Sequence, residues 1–512
     1  LYQSSMRIAL KKMRFPIGFM AAVLHIPFLQ AQHGLSFAPL FTDHMVLQRD
    51  KPIVVWGTAK PHAKVLIRFD DEEVQLLANK AGDWKATLKP RPAGGPFLMS
   101  IRTNNKLVEL NDVLVGEVWV CAGQSNMEFT INETLYETEV IEAEKYPLIR
   151  HLKINRGASL SPTVVANCGA WTASTDQNTS TFSAAAYFFA KALVDRYHMP
   201  VGIINTTWGG TRIESWISYE GMAQSELFED YADVFRKNQA SAIAVVPQKT
   251  TKRATRAAAV DQNVGATIFN AMVSPVTGFS MRGVLWYQGE SNVERAYAYR
   301  YLFPLLIQDW RRAWGEDFPF LFVQLPNWAA EGGNSNTGST WAELRESQSM
   351  ALQLPNTGMA VAIDIGETND LHPKNKMDVG KRLAREALRV AYGEAVKPAG
   401  TTRPAFIFVE NKVMVDFGEH EEGVMTRHPG DSVKGFELAG DDQVFYPAYA
   451  DLTAQKVVVY SAAVPHPTAV RYAWADDPAD ANLVTAEGLP FAPFRSDNWR
   501  CCTAGASVYK KQ

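Results

Sequence analysis

The sequence predicts an α/β protein, in which a mostly parallel sheet alternates with helices and two antiparallel β modules flank it. Three observations predict this. Apolar runs at Val113–Ala122, Val201–Asn205, Gly283–Tyr287, Pro319–Gln324 and Met359–Asp364 read as short strands, the first nearly continuous, as for a strand buried on both faces. Helical patterns lie between or after them at Ser183–Tyr197, Tyr297–Trp310, Trp341–Leu352 and Lys376–Ala391. On either side, strands of five or six residues recur between Gly- and Pro-rich turns.

Taken in order, Leu1–Ser5 precede the first methionine and read as a remnant of cloning. Arg7, Lys11, Lys12 and Arg14 then lead into the apolar stretch Phe15–Leu29 and the small residue Ala31. A basic start, an apolar centre and a small residue at the break make residues 6–31 a signal peptide, which predicts a periplasmic or secreted protein. The competing reading is a buried N-terminal helix. With Pro16 and Pro27 inside it, the stretch falls short of the roughly 20 residues of a membrane span. No Cys follows it to carry a lipid.

Residues 35–112 form the first β module, with strands at Pro52–Trp56, Lys64–Phe69, Trp84–Leu88 and Phe97–Arg102 and turns at Gly57–Pro61, Asp70–Glu72, Ala81–Asp83 and Pro90–Pro96. The α/β region covers 113–398, and its Ala-, Lys- and Arg-rich stretch 219–262 reads as an excursion or lid. A second β module occupies 399–486, with strands at Phe406–Val409, Val413–Phe417, Val457–Ser461 and Val470–Ala475. The aromatic segment 487–512 is expected to pack back on the α/β region.

Composition narrows the function. With 51 basic and 54 acidic residues and a net charge of -3, the 512-residue chain has no basic surplus for nucleic acid. Its 46% hydrophobic residues exclude disorder. Four Cys make neither a disulfide framework nor a CxxC pair for zinc, so no required disulfide and no metal or cofactor are expected. Oligomeric state is not readable.

Ligands of open α/β sheets bind beyond the carboxyl ends of the strands. There the chain places Gly123-Gln124-Ser125-Asn126-Met127, Thr206-Thr207-Trp208-Gly209-Gly210-Thr211, Gln288-Gly289-Glu290-Ser291-Asn292 and Asp370-Leu371-His372-Pro373. The first turn presents a serine but lacks the second Gly of GxSxG, so it is not the α/β-hydrolase signature. A serine, a Gly pair, an Asn and a His with a nearby Asp are what acyl transfer needs: nucleophile, oxyanion donors, base and orienting acid. Only His151, His198 and His372 fall in the α/β region. His198 stands at a helix exit and His151 within a strand, which leaves His372 at the active edge.

These four blocks resemble those of the SGNH (GDSL-like) hydrolases and, more narrowly, the sialate O-acetylesterase family of carbohydrate esterases. The resemblance extends over nearly the whole chain, through Phe494-Arg495-Ser496-Asp497-Asn498-Trp499. It implies a flavodoxin-like, three-layer α/β/α domain with accessory β-sandwich modules, removing acetyl groups from sugars without a metal. Ser125 would be the nucleophile and His372 the base. The Ser125 N–H, an N–H at Gly209 or Gly210, and the Asn292 side chain would form the oxyanion hole. The general pattern puts Asp three residues before the His, where this chain has Asn369; Asp370, two before, is a spacing that the sialate branch tolerates. Asp364, Glu367, or a dyad helped by a backbone carbonyl are the alternatives.

Gln124, Arg212, Gln288, Glu290 and Arg345 are candidate substrate contacts, the two arginines reading equally as partners for a sugar carboxylate and as members of surface or structural ion pairs. Gln288 and Glu290 also read as residues that fix the loop around Asn292. Trp208, Tyr287, Trp328 and Trp341 are candidates for stacking on a sugar ring or for core packing. The substrate expected is an O-acetylated sugar, either sialic acid or a plant polysaccharide such as xylan. A sugar-binding protein that has lost catalysis is the reading from another class, and it would predict a gap in the Ser/Gly/Asn/His set, where none is missing.

Overall fold

The computed structural model describes residues 34–135, 146–225, 227, 229, 232, 260–418, 423–453 and 456–506. Residues 1–31, most of the excursion expected at 219–262, and the end of the C-terminal segment lie outside the described residues. No described helix is long and apolar enough to cross a membrane.

A central mixed sheet carries the chain, with separate antiparallel sheets around it. Its strands are β1 (Lys106–Gly123), β2 (Ile149–Lys153), β3 (Val201–Thr207), β4 (Gly283–Tyr287), β5 (Phe320–Val323) and β6 (Thr357–Ala360). They lie in the order β2-β3-β1-β4-β5-β6, each parallel to its neighbours. Every residue of β3, β4, β5 and β6 is buried, which is why these strands read as unbroken apolar runs. With β3 on one side of β1 and β4 on the other, the chain reverses direction at β1, and loops leaving such a point part to form a crevice.

The helices that bear on the sheet and its active edge are α1 (Ser125–Glu128), α2 (Ala184–Tyr197), α3 (Ala296–Trp314), α4 (Thr340–Ser349) and α5 (Lys376–Val390). Trp119 of β1 meets Phe189 of α2 edge-on at 5.0 Å. Trp286 pairs in register with Ala122, three residues along from Trp119 and so on the opposite face, and it packs on Phe303 and Trp310 of α3. Helices therefore cover both faces. α2 and α5 touch closely because Gly380 has no side chain: a Cβ there would stand 2.6 Å from that of Phe188. Ser183 caps α2 by accepting the Ala186 N–H, and His198 closes it in the left-handed conformation (φ 53°).

The first β module is not separate from this sheet. Ile53–Thr58 and Asp83–Leu88 make one sheet with Ser36–Phe37. Lys64–Phe69 pairs with Gly94–Thr103, which in turn pairs antiparallel with the first half of β1. The boundary expected between residues 112 and 113 thus falls inside one strand. Asp112 marks it with a left-handed backbone (φ 52°) and a carboxylate held by Arg150 and His44. Asp70–Glu72, expected as a turn, leads straight into a further strand, Glu72–Leu77. That strand escapes sequence reading because Glu73, Gln75 and Leu77 face solvent.

Beyond residue 400, two four-stranded antiparallel sheets form. Ala405–Val409, Lys412–Asp416, Lys456–Tyr460 and Ala469–Tyr472 match the expected strands. Phe494–Arg495 adds an edge strand beside Ala469–Tyr472. From there Arg495 reaches Glu346 of α4 at 2.8 and 2.9 Å, and the Thr503 N–H and hydroxyl bond Glu343.

Candidate active site

β1 ends at Gly123, and its last hydrogen bond to β4 runs from the Gln124 N–H to the Tyr287 carbonyl at 3.0 Å. Ser125 opens α1 immediately afterwards. Its partly exposed hydroxyl lies 2.8 Å from Nε2 of His372, on the loop between β6 and α5. An imidazole nitrogen at that distance can take the serine proton. The chain thus closes a gap of 247 residues to form this pair.

Asp370 supports the pair differently from a triad acid. Its Oδ1 accepts the backbone N–H of His372 at 2.8 Å, which fixes the main chain of the loop. Among the described residues no group is hydrogen-bonded to His372 Nδ1. Asp364, the alternative acid, is held by both Arg382 guanidinium nitrogens (2.6 and 2.8 Å) and is not available. Glu367 accepts the Lys374 N–H. Glu290 is the buried carboxylate whose charge interacts with His372: Oε1 accepts Asn126 Nδ2 at 2.5 Å, and Oε2 is buried without a hydrogen-bond partner. Burial raises its pKa.

The expected oxyanion donors divide. A Cβ on Gly209 would lie 3.3 Å from that of Ser125, a tight contact, so the glycine lets this turn come close behind the serine. Its N–H, however, is given to Glu128 Oε2 at 2.9 Å. Burial alone would raise the Glu128 carboxyl, but Arg156, Lys153 and this N–H together hold it below its usual range. The N–H groups of Ser125 and Gly210 have no acceptor among the described residues. Asn292 is engaged in part. Its amide oxygen accepts from the Ile213 N–H (3.0 Å) and Gln288 Nε2 (2.8 Å), and its nitrogen donates to Glu214 (2.9 Å), so a carboxylate takes one of its two N–H groups.

Most of the expected substrate contacts are likewise structural. Gln124 is buried and accepts the Gly289 and Ser291 N–H groups, tying β1 to the loop after β4. Gln288 is fully buried between Thr211, Asn292 and Tyr299. Arg345 is 0% exposed and spends its guanidinium on the carbonyls of Leu325, Pro326, Ala475 and Asp476, where the second β module meets the α/β region. Tyr287 and Trp341 are buried, and Trp328 packs edge-on against Trp341 at 5.2 Å. Arg212 remains: it follows the Gly209-Gly210 turn, is half-buried, and its guanidinium has no partner among the described residues. Asn263 holds the same turn through the Arg212 N–H and the Gly210 carbonyl.

Sequence reading missed Asn126 and Lys376. Asn126 sits in a quoted motif but carries no chemistry of its own. Lys376 opens an amphipathic helix, where a lysine reads as solvent-facing; it is 0% exposed.

A serine–histidine pair at the switch point of an α/β sheet, beside a glycine turn, is an arrangement suited to ester hydrolysis. A family profile described as carbohydrate esterase, sialic acid-specific acetylesterase, matches residues 115–389, and the chain belongs to that family. Its sequence is 29% identical to the sialate O-acetylesterase of Mus musculus over 418 residues, covering 70% of this chain and 74% of that protein. Against the Homo sapiens sialate O-acetylesterase it is 29% identical over 399 residues, covering 70% and 72%. The crystal structure of a carbohydrate acetylesterase from Xanthomonas citri superposes with a TM-score of 0.81 at 36% identity, covering 91% of this chain and all of that one.

Proposed function

We propose that this carbohydrate esterase is a secreted enzyme of the SGNH type that removes O-acetyl groups from sialic acids by a serine mechanism. The observation that carries the mechanism is the 2.8 Å contact between His372 Nε2 and Ser125 Oγ. Ser125 Oγ attacks the acetyl carbonyl as His372 Nε2 takes its proton. The tetrahedral oxyanion is met by the Ser125 and Gly210 N–H groups, preorganised donors of a kind worth about 10²–10³ in kcat each. The ester C–O bond breaks, His372 returns the proton to the departing sugar oxygen, and the acetyl group stays on Ser125. Water then attacks, gives a proton to His372, and acetate leaves as Ser125 Oγ recovers that proton.

Arg212 supports an acidic sugar. A guanidinium beside the oxyanion turn that has no partner among the described residues is available to the carboxylate of sialic acid, and the sialate O-acetylesterase relatives are named for that substrate. Secretion rests on the leader-like segment 6–31.

The test is acetate release from 9-O-acetylated sialic acid and from acetylated xylo-oligosaccharide, using wild type, Ser125→Ala and Arg212→Met. Ser125→Ala is expected to lose turnover on both; surviving activity of more than a few per cent overturns the mechanism. Arg212→Met is expected to raise KM for the sialic acid alone. A wild-type preference for the xylo-oligosaccharide, with no effect of Arg212→Met, overturns the substrate.

A further inference from the structure

We propose that Lys376 is a positioning residue, whose ammonium works through Asn126 to clamp the loop bearing His372 to the turn bearing Ser125. This rests on the catalytic reading of those two residues.

Lys376 Nζ donates to Asn126 Oδ1 at 2.7 Å and to the Pro373 carbonyl at 2.5 Å. It also lies 4.6 Å from the ring centre of Phe129 and 5.7 Å from that of Tyr287. Asn126 directly follows Ser125, and its Nδ2 donates to the Leu371 carbonyl at 3.1 Å as well as to Glu290. The carbonyls immediately before and after His372, those of Leu371 and Pro373, are therefore both held by the one Asn126–Lys376 unit. Phe129, under the ammonium, also stacks on the His372 ring (6.4 Å, 18°). The loop is gripped on its backbone and on its imidazole face.

Packing needs alone do not explain a lysine here. A fully buried ammonium loses its hydration, and a methionine of similar length would fill the space without that cost. Among the described residues no carboxylate lies within ion-pair distance of Nζ, although Glu290, Asp370, Glu367 and Glu133 act on it from further away. Its partners are an amide oxygen, a carbonyl and two ring faces, and each belongs to an element that holds the serine, the histidine or β4. A point charge with three rotatable donors suits such a junction.

Neither Lys376 nor Asn126 touches the serine hydroxyl, so loosening the clamp is expected to lower kcat and leave KM alone. A misplacement of about 1 Å between reacting groups costs on the order of 10² in rate. The experiment compares Lys376→Met, Asn126→Asp and Asn126→Ala with wild type for melting temperature, kcat, KM and the rate of Ser125 labelling by a fluorophosphonate. Asn126→Asp keeps an acceptor for the ammonium and removes the donor to Leu371 and Glu290, and Asn126→Ala, which removes the donor without adding a charge beside Glu290, decides the matter if Lys376→Met does not fold. Expected are folded variants with kcat and labelling rate down about 10²-fold at unchanged KM, and a double variant no slower than the worse single one. A folded variant within threefold of wild type in kcat and labelling overturns the proposal, as does a loss confined to KM. Ser125→Ala runs alongside: if it stays active the catalytic reading fails, whereas if only the clamp variants stay active the clamp alone fails.

Discussion

Gly123→Ala is the sharpest test of how the sheet delivers the serine. Gly123 stands at the end of β1 with φ 133°, a backbone conformation that L side chains rarely adopt. A Cβ there would stand 2.1 Å from the Tyr287 carbonyl oxygen and 2.7 Å from its carbon. Reaching the 3.4 Å of ordinary contact takes a shift of about 1.3 Å between β1 and β4. That shift stretches the 3.0 Å bond from the Gln124 N–H to Tyr287 past its useful range. The lost bond costs about 1 kcal/mol and the backbone strain about 1–3 kcal/mol, so roughly 2–4 kcal/mol of destabilisation is expected. Ser125, two residues on, moves with the strand end, and a displacement of that size costs at least on the order of 10² in kcat. Urea unfolding measures the first effect and acetate release the second. A variant with wild-type midpoint and rate would refute the argument that this strand end is too close for a side chain.

Three further outcomes are expected. Asp370→Asn should lose less activity than His372→Ala, because an amide oxygen still accepts the His372 N–H; equal losses in steady-state kinetics would restore Asp370 as the acid behind the imidazole. Arg345→Met should destabilise the protein by about 3–5 kcal/mol, since four buried carbonyls lose their donor, with KM unchanged where the variant is folded; calorimetry and kinetics check this. Buried His151, pressed on Phe182, has its pKa pushed down by desolvation to about 3. The unfolded chain takes up that proton near pH 6.5 and the folded chain does not until about pH 3. His151 thus costs no stability above 6.5, and stability falls as pH drops below it, by at most about 1.4 kcal/mol per pH unit. His151→Gln should flatten the slope between pH 6 and 4, and an unchanged slope in urea midpoints against pH would refute it.

The serine–histidine pair was legible because its chemistry sits where the pattern changes, at the ends of runs apolar enough to be unmistakable strands. Five strands of the central sheet and α2, α3, α4 and α5 followed from the same contrast, whereas β2, with Arg150, His151 and Lys153 in it, made no apolar run. Met359–Asp364 was read two residues late at its start and four late at its end: the strand is Thr357–Ala360, and Asp364 pairs with Arg382. Where each polar side chain in the motifs points was not legible. Gln288 read both as a substrate contact and as a residue fixing the loop around Asn292, and it bonds Thr211, Asn292 and Tyr299; Gln124 and Asn292 bond neighbouring loops too, and such long-range partners have no local signature. Arg345 shows the same limit, because a guanidinium that satisfies four carbonyls is indistinguishable in sequence from one that awaits a carboxylate. Lys376 was hidden by its position in an amphipathic helix. Short strands of the second β module, such as Phe445–Pro447 and Val424–Thr426, have too few residues for an alternation to register.

The continuity of β1 has a consequence for how the molecule can be divided. The strand begins as a partner of Gly94–Thr103 and ends two residues before Ser125, so the N-terminal module and the α/β region share one backbone and one hydrophobic core. Val46–Gln48 also pairs with its middle, at Leu114–Gly116. The N-terminal module therefore cannot be trimmed away as an appendage. A cut near residue 113 would leave Leu114–Gly116 with an open hydrogen-bonding edge, an invitation to self-association, and would remove the anchorage from which the strand is aimed. Loosening of the module by heat or proteolysis should be felt at Ser125 as one cooperative event, and exchange of this module between relatives would have to carry the catalytic strand with it.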